Sequence, residues 1–402
     1  MNKEISPVKS TAMVSLITAA CLLGDSMLYV VLPLYWREFG LDAIWQVGVL
    51  LSANRMVRLP FNPAALWLFA NIGQRKCIIL SIGLAFLTTL SYSFATGFWL
   101  LLLMRSVWGM AWSLLRLGAY FSILQFAPVN ERGHHMGVYN GVFRLGSLLG
   151  MMGGAIIAEF FDPLSAGMVF SGIALLSLPM AFKYVSGDTF KSEGQKIFDS
   201  INIMFSDKLI TMLVATAFFS AFVYQGMFTS MLSYLAGYNN IKIEFLAALG
   251  FGAASISGLL QAIRWLWEPY LAPKIGRMSD GKWGRRHMLS GFCALAAVTF
   301  FFVSYNMNVY IWLFLVLLLQ FAGTGITTLV DAAGADVASG STNAPAVLGA
   351  HSFSIDLGSA IGPLAGYFLN SYSGIHMPFC ISGLCLLFIA FMWMNNKNTV
   401  VR

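Results

Sequence analysis

A glycine pattern that occurs twice limits the folds open to this chain. Both copies have the spacing G-x8-G-x3-G-x3-G, and they start 212 residues apart, at Gly137 and Gly349. Glycines four residues apart on a helix allow close approach of a second helix. Both copies lie in apolar stretches longer than the ~20 residues that a bilayer requires. The repeat therefore predicts a duplicated membrane bundle whose functional centre lies where the halves meet. The first copy continues with Gly146, Gly150, Gly153 and Gly154, and the second with Gly358, Gly362, Pro363 and Gly366.

Composition excludes a soluble protein. Hydrophobic residues make up 58% of the chain and charged residues 10%, whereas a soluble domain carries roughly a quarter of charged residues. The net charge of +7 reflects lysines and arginines that fall on one side of the predicted spans, with Arg37 and Lys242 on the other side. This asymmetry predicts that both termini are cytoplasmic, and it does not indicate a nucleic-acid partner. The five cysteines have no ligand spacing, so no metal site is expected.

The apolar stretches predict an all-α membrane protein of twelve transmembrane helices in two pseudo-symmetric six-helix bundles. A polar stretch at 185–208 separates an N-terminal bundle, 1–184, from a C-terminal bundle, 209–402. We interpret 185–208 as a cytoplasmic linker. The predicted spans are 12–35, 44–70, 77–96, 98–126, 135–160, 164–184, 209–236, 245–273, 287–306, 308–336, 345–371 and 375–394.

A second repeat follows the second and eighth spans. Residues 276–286 contain Gly276, Asp280, Gly284, Arg285 and Arg286, and the stretch 66–76 has glycine at the position of Gly284. The earlier copy has lost the aspartate and the first glycine, which are Ala70 and Leu66. Basic residues in such a loop can bind the carbonyls at a helix end, so we expect a cytoplasmic latch that depends on the later copy.

These motifs resemble the major facilitator superfamily, and the resemblance spans nearly the whole chain. The 276–286 stretch resembles that family's G-x3-D-R/K-x-G-R-R loop, with one residue inserted. Leu23 to Pro33 is similar to the first-helix signature of drug:proton antiporters, with Val30 in place of a proline. Residues 150–154 resemble the antiporter motif G-P-x-x-G-G, with Met151 in place of proline. Arg105 and Gly109 match an R-x3-G element whose arginine the family associates with proton coupling.

The resemblance implies a transporter rather than an enzyme. It implies a proton gradient instead of a cofactor, a small-molecule substrate and protons as partners, and a monomer in a bacterial cytoplasmic membrane. Family members line their central cavity with helices 1, 2, 4, 5, 7, 8, 10 and 11. The intramembrane charges of this chain fall in those spans, as expected where charge must face water or a partner. They are Asp25, Arg55, Arg58, Arg105, Arg116, Arg144, Arg264, Glu268, Asp331, Asp336 and Asp356.

Alignment of the halves shows a sign inversion: Arg144 corresponds to Asp356, and Arg58 to Glu268. The basic and acidic walls could pair with each other, as Arg58 with Asp356 and Arg144 with Glu268. They could instead hold a substrate that carries both signs. The sequence leaves both alternatives open.

Asp25 is the best candidate for the proton carrier, because burial opposes its ionised form while arginines favour it. A fixed counter-ion for Arg55 or Arg58 is the other interpretation. His351 could assist coupling, and Tyr29, Tyr120, Tyr224 and Gln225 could line the cavity. Together these residues predict a proton-coupled exporter of a small polar organic molecule, and suggest an opine-type metallophore such as staphylopine. Efflux of lipophilic drugs, import of an organic anion by proton symport, and a membrane enzyme or receptor are the alternatives.

Overall fold

The computed structural model describes residues 7–94, 96–128, 132–189, 204, 207–241, 251–281, 284–341 and 343–395. These residues form twelve helices, which we number in chain order, and no strand. The helices are α1 (Pro7–Leu34), α2 (Trp45–Ile72), α3 (Gln74–Ser91), α4 (Phe98–Phe126), α5 (Arg132–Phe160), α6 (Ser165–Tyr184), α7 (Lys208–Tyr238), α8 (Ala253–Asp280), α9 (Arg285–Val303), α10 (Val309–Ser339), α11 (Ala344–Ser373) and α12 (His376–Asn395).

Some helices begin or end at residues other than those predicted from apolar composition. The fourth span, 98–126, coincides with α4. In contrast, α3 starts three residues before the predicted 77, because Gly73 takes a positive φ of 85° and opens the helix at Gln74. The eighth span was expected from 245, but α8 starts at Ala253, and residues 242–250 lie outside the described part of the chain. It continues to Asp280, so Gly276 and Asp280 lie in the helix rather than in the predicted loop.

Two helices contain local irregularities. α6 consists of Ser165–Leu176 and Leu178–Tyr184, with a break at Ser177. α7 contains a π-helical segment, Ala221–Phe228, between two α-helical parts. The hydroxyl of Thr229 donates to the carbonyl of Tyr224, five residues earlier, at 2.7 Å. Such π-helical turns occur often at functional sites, which draws attention to the middle of α7.

Eight of the described helices, α1, α4, α5, α6, α7, α9, α10 and α12, are long and apolar enough to cross a membrane. The other four have less apolar sequences. α2 and α8 contain arginines and prolines, α3 starts with the polar residues 74–76, and α11 has many small and polar residues. Polar and small residues in membrane helices face protein or water rather than lipid. The protein is a multi-pass membrane protein.

Internal contacts divide the chain into two units. The first contains Met1–Glu193 and Glu244–Ala262, and the second contains Gly194–Ile243 and Ile263–Arg402. The first ten residues of α8, 253–262, therefore group with the first unit. The boundaries at 184 and 208 stay a prediction.

The repeated glycines mark the same packing in both units. In the first unit, a Cβ on Gly146 would lie 2.6 Å from Ala19 Cα, and one on Gly150 would lie 2.5 Å from the Leu23 carbonyl oxygen. In the second unit, a Cβ on Gly362 would lie 2.5 Å from the Phe222 carbonyl oxygen. Glycine thus brings α5 against α1 and α11 against α7. Gly154 and Gly358 pack in the same way against Met27 and Phe218, and Gly366 against Met227 and Met231.

Candidate proton-coupling and substrate sites

Asp25 lies at the centre of a buried polar cluster in the first unit. Its residue is 5% exposed, and Oδ1 accepts hydrogen bonds from Nη1 of Arg105 and, at 2.9 Å, from Nδ2 of Asn54. Arg105 is 1% exposed and its Nε also donates to the Leu50 carbonyl oxygen at 3.0 Å. The carboxylate of α1 therefore holds together side chains from α2 and α4, and its charge is paired with the arginine that the sequence associated with coupling.

Gly109 explains how Arg105 reaches α2. Gly109 lies one turn after Arg105 on α4, and its Cα faces the backbone of Asn54. A Cβ at this position would lie 3.1 Å from Asn54 Cα and closer still to its carbonyl oxygen. Any larger residue at position 109 would push α4 away from α2. The glycine of the R-x3-G element therefore keeps the two helices close enough for Arg105 to bind the backbone of α2.

Three further arginines of the first unit lie over aromatic rings. The Cζ atom of Arg55 is 5.4 Å from the Tyr29 ring centroid, and that of Arg58 is 5.3 Å from Trp112. Arg116 lies over Tyr120 at 5.7 Å, and its Nε is 3.0 Å from the Tyr120 hydroxyl. Such contacts stabilise a guanidinium and keep its other donors oriented. Arg144 is half-buried on α5.

The second unit brings a cation and an anion together on one face of α8. Arg264 Nε is 3.8 Å from Glu268 Oε2, one turn away, and the Arg264 Cζ is 5.6 Å from the Trp265 ring centroid. Both side chains are largely buried. The predicted pairs Arg58–Asp356 and Arg144–Glu268 would join residues of different units, and they stay predictions.

A carboxylate–imidazole pair connects α10 with α11 in the second unit. His351 Nε2 lies 3.2 Å from Asp331 Oδ1; the histidine is buried, and the aspartate is exposed. Gly334 makes room for the ring, since a Cβ there would lie 3.2 Å from His351 Nε2. Asp356, one and a half turns further along α11, is half-buried, and so is Gln225 in α7.

An ionic triad connects the end of α8 and the start of α9 with α10 in the second unit. Arg285 contacts Asp280 at 2.8 Å and Asp336 of α10 at 2.6 Å. Gly284 precedes it with a positive φ of 66°, and Arg286 donates to the Met394 carbonyl of α12. Lys282 and Trp283 lie outside the described residues. The triad joins α8, α9 and α10 at one end.

The equivalent loop of the first unit has a different chemistry. Gln74 is buried, and its Nε2 donates to the Gly118 carbonyl at 2.8 Å and to the Ser122 hydroxyl at 2.6 Å. Asp188, which follows α6, accepts from the Gln74 amide through its carbonyl at 3.0 Å. Its carboxylate accepts from Ser186 and from Gln125. Those two hydrogen bonds, with Arg75 adding a smaller contribution, lower the pKa of Asp188.

Two residues of these arrangements were missing from the sequence-based site. Asn54 is a neutral residue among arginines, and only its contact with Asp25 distinguishes it. Glu159, near the end of α5, accepts from the backbone amides of Gly252, Ala254 and Ser255 at 2.9–3.2 Å, as well as from the Ser255 hydroxyl. A carboxylate facing the first amides of a helix is favourable, so Glu159 caps α8. The one sequence feature that points to this cap is the position of an acidic residue at the end of the predicted span 135–160.

The described residues form a bundle of twelve helices, and a comparison with protein families identifies the class of protein. The sequence model of the Major Facilitator Superfamily matches residues 14–270 and 258–400. The chain belongs to the Major Facilitator Superfamily, whose members are transporters rather than enzymes.

Two characterised relatives are similar over part of the chain. A synaptic vesicular amine transporter of Homo sapiens is 27% identical over 154 residues, or 38% of this chain and 30% of that protein. The quinolone resistance protein NorA of Staphylococcus aureus is 27% identical over 139 residues, or 34% of this chain and 35% of that protein. The chain is thus aligned with about a third of the length of either relative.

Solved structures show the same fold at low sequence identity. The nucleoside transporter NupG superimposes with a TM-score of 0.76 at 11% identity, covering 97% of this chain and 99% of that chain. A structure from work on proton dependent oligopeptide transporters gives a TM-score of 0.71 at 14% identity, covering 97% and 98%. These similarities concern the fold alone.

Proposed function

We propose that this protein is a proton-coupled exporter of a small organic molecule that carries both a carboxylate and a basic group. It would work by alternating access in a bacterial cytoplasmic membrane, with both termini on the cytoplasmic side. The proposal rests above all on one observation: Asp25 is a buried carboxylate bound by side chains from two other helices.

Protonation of Asp25 would change what holds those helices together. The ionised carboxylate attracts Arg105 and accepts from Asn54, so α1, α2 and α4 share one charged cluster. A protonated carboxyl has no charge for Arg105 to neutralise, and the cationic guanidinium would then retain the Leu50 carbonyl as its hydrogen-bond acceptor. A proton taken up from one side and released to the other could therefore alternate two packings of the first unit.

The distribution of charge supports a substrate of both signs. The first unit supplies guanidinium groups that lie over aromatic rings, those of Arg55, Arg58 and Arg116. Glu268 and Asp356 supply carboxylates in the second unit. Carboxylate or phosphate groups are the natural partners of guanidinium. An opine-type metallophore is one candidate of this class, although neither relative's name refers to one.

Efflux of lipophilic drugs is the second candidate, and the similarity to a quinolone resistance protein favours it. Quinolones themselves bear a carboxylate, and norfloxacin also bears a basic amine. Norfloxacin is therefore a suitable probe for both candidates. An organic-anion symporter would use the same residues in the opposite direction.

Inverted membrane vesicles loaded with this protein test the proposal. With an acidified interior, wild-type vesicles should accumulate norfloxacin, because the proton gradient drives export into the lumen. Asp25→Asn should abolish this gradient-driven accumulation and preserve exchange of internal for external norfloxacin. Asp42→Asn, which neutralises an exposed aspartate between α1 and α2, is the matched control and should behave as wild type. Accumulation only with an alkaline interior would indicate symport, and coupling retained by Asp25→Asn would exclude Asp25 as the carrier.

A further inference from the structure

Asp331 presents its carboxylate to water from within a membrane helix. Its side chain is 69% exposed, and it lies two turns before α10 ends at Ser339. The accessible residues between 327 and 336 are all small or polar, and the two large apolar residues of this stretch, Leu329 and Val330, are buried. A surface in contact with lipid would have the opposite distribution. This part of α10 therefore faces an aqueous space.

A buried imidazole holds this carboxylate in place. His351 of α11 is 6% exposed, and its Nε2 lies 3.2 Å from Asp331 Oδ1. The ring packs against Gly334 of α10, where a Cβ would lie 3.2 Å from Nε2 and 3.3 Å from two ring carbons. The imidazole therefore contacts one oxygen of a carboxylate whose side chain stays largely accessible to a solute.

The other ring nitrogen of His351 indicates the charge of the pair. Nδ1 is buried and has no hydrogen-bond partner among the described residues. A neutral imidazole has one donor and one acceptor nitrogen. The hydrogen of the neutral ring is therefore assigned to Nε2, which donates it to Asp331, because a hydrogen on Nδ1 would be buried without an acceptor. Uptake of a proton at Nδ1 would turn this arrangement into an ion pair without net charge.

The helices around His351 carry few other titratable groups. α11 packs against α7, α10 and α12. No side chain titrates in residues 209–223 of α7 or 386–395 of α12, and Lys208, the first residue of α7, is exposed. The acidic residues of α10 and α11 are Asp331, Asp336, which is paired with Arg285, and Asp356, which is half-buried. Histidine is the side chain that ordinarily changes its charge between pH 5 and pH 8.

We propose that Asp331 binds the basic group of the substrate and that His351 makes this binding depend on pH. The inference rests on the proposed function, in which the substrate has a basic group. At the neutral pH of the cytoplasm, the ionised carboxylate attracts an ammonium or guanidinium group. In contact with a more acidic medium, His351 takes up a proton and neutralises Asp331, and the basic group is released. One proton thus replaces one positive charge of the substrate.

Equilibrium binding to the purified full-length protein in nanodiscs tests this site without a proton gradient. The probe is tetraphenylphosphonium, a cation whose charge is independent of pH, at about pH 7.5 and about pH 5.5, within the range in which histidine changes its charge. Wild type should bind about tenfold more tightly at the higher pH, as expected for one charge–charge interaction near water. Asp331→Asn should lose about tenfold in affinity at the higher pH. His351→Gln keeps a donor for Asp331 but cannot take up the proton, so its affinity should be equal at both pH values.

Two variants and one further probe serve as controls. Asp207→Asn neutralises an exposed aspartate that precedes α7, and His376→Gln removes an imidazole bonded to Ser304. Both should keep the wild-type affinity and its pH dependence. Tetraphenylborate, an anion of the same shape as the probe, should not lose affinity in Asp331→Asn.

Four results would overturn the inference. They are unchanged affinity in Asp331→Asn, a pH dependence that survives in His351→Gln, an equal loss of affinity for both ions, and a wild type that does not bind tetraphenylphosphonium. None of them would affect the role of Asp25, because that role is tested by gradient-driven transport and this binding involves no gradient.

Discussion

The loop after α2 and the loop after α8 both end in a glycine with positive φ, Gly73 and Gly284, but different interactions hold them in place. In the second unit, Arg285 forms ion pairs with Asp280 and Asp336. In the first unit, Gln74 forms neutral hydrogen bonds with α4, and the segment after α6 supplies Asp188. Both copies have a glycine with positive φ, whereas the ion pairs are found in the second copy.

The difference shows how a duplicated loop can lose its charges without losing its position. Charges at a helix end respond strongly to a change of partner, whereas a buried amide with two hydrogen bonds is satisfied in a single arrangement. We therefore expect the second loop to be the switchable one and the first to be a fixed attachment. Three substitutions test this contrast.

Arg285→Ala should have the largest effect. It leaves Asp280 and Asp336 near each other with no cation between them, at a site where the arginine is 15% exposed. We expect a loss of about 2 kcal/mol, less than for a fully buried pair because Asp336 is partly solvated. The apparent Tm in detergent should fall by about 2 °C. Arg277→Ala, which removes an exposed arginine near the end of α8, is the control, and an equal fall there would show that the triad has no special role.

Gln74→Ala should have a smaller effect, of about 1.5 kcal/mol, because two neutral hydrogen bonds are lost. The Ser122 hydroxyl and the Gly118 carbonyl can both find acceptors or donors within α4, which limits the loss. The same melting measurement would detect it, with the exposed Asn71→Ala as control. A larger fall than for Arg285→Ala would reverse the ranking of the two loops.

Asp188→Asn should have the smallest effect, and that effect should depend on pH. Its hydrogen bonds from Ser186 and Gln125 favour the ionised carboxylate, so its pKa is lower in the folded protein than the ordinary value of 3.8. A group with a lowered pKa stabilises the fold above its ordinary pKa, and this contribution is lost as the pH falls through the lowered value. The difference in Tm between wild type and Asp188→Asn should be present at pH 7 and vanish under strongly acidic conditions. A constant difference would show that the charge of Asp188 is not involved.

Much of the fold was predictable because it depends on periodic features. The lengths of the apolar stretches located the twelve helices of the described residues. The glycine repeat indicated that α5 and α11 approach a neighbouring helix closely, but not that these neighbours are α1 and α7. Helix ends such as those of α3 and α8 were less predictable, since backbone geometry at Gly73 and a cap from Glu159 set them. Neither effect is visible in hydrophobicity.

The sequence predicted many of the residues of the candidate site, but it did not predict which of them contact each other. Asp25 and Arg105 were both identified from the sequence, but contacts between α1 and α4 depend on helix rotation, which a sequence does not specify. Asn54 is uncharged, so a search for intramembrane charge does not find it, although it donates to Asp25. Trp112, which was not among the predicted cavity residues, lies under Arg58.

The glycines of α5 and α11 have a further consequence for variation in this protein. For a Cβ on Gly150 or on Gly362, the nearest atom would be a main-chain carbonyl oxygen of the opposite helix, that of Leu23 or of Phe222. A side chain can rotate away from an intruding methyl group, but a main-chain carbonyl cannot. Replacement of Gly150 or Gly362 should therefore be tolerated less well than replacement of the Leu23 or Phe222 side chain, because the contact at each glycine is made by the main chain.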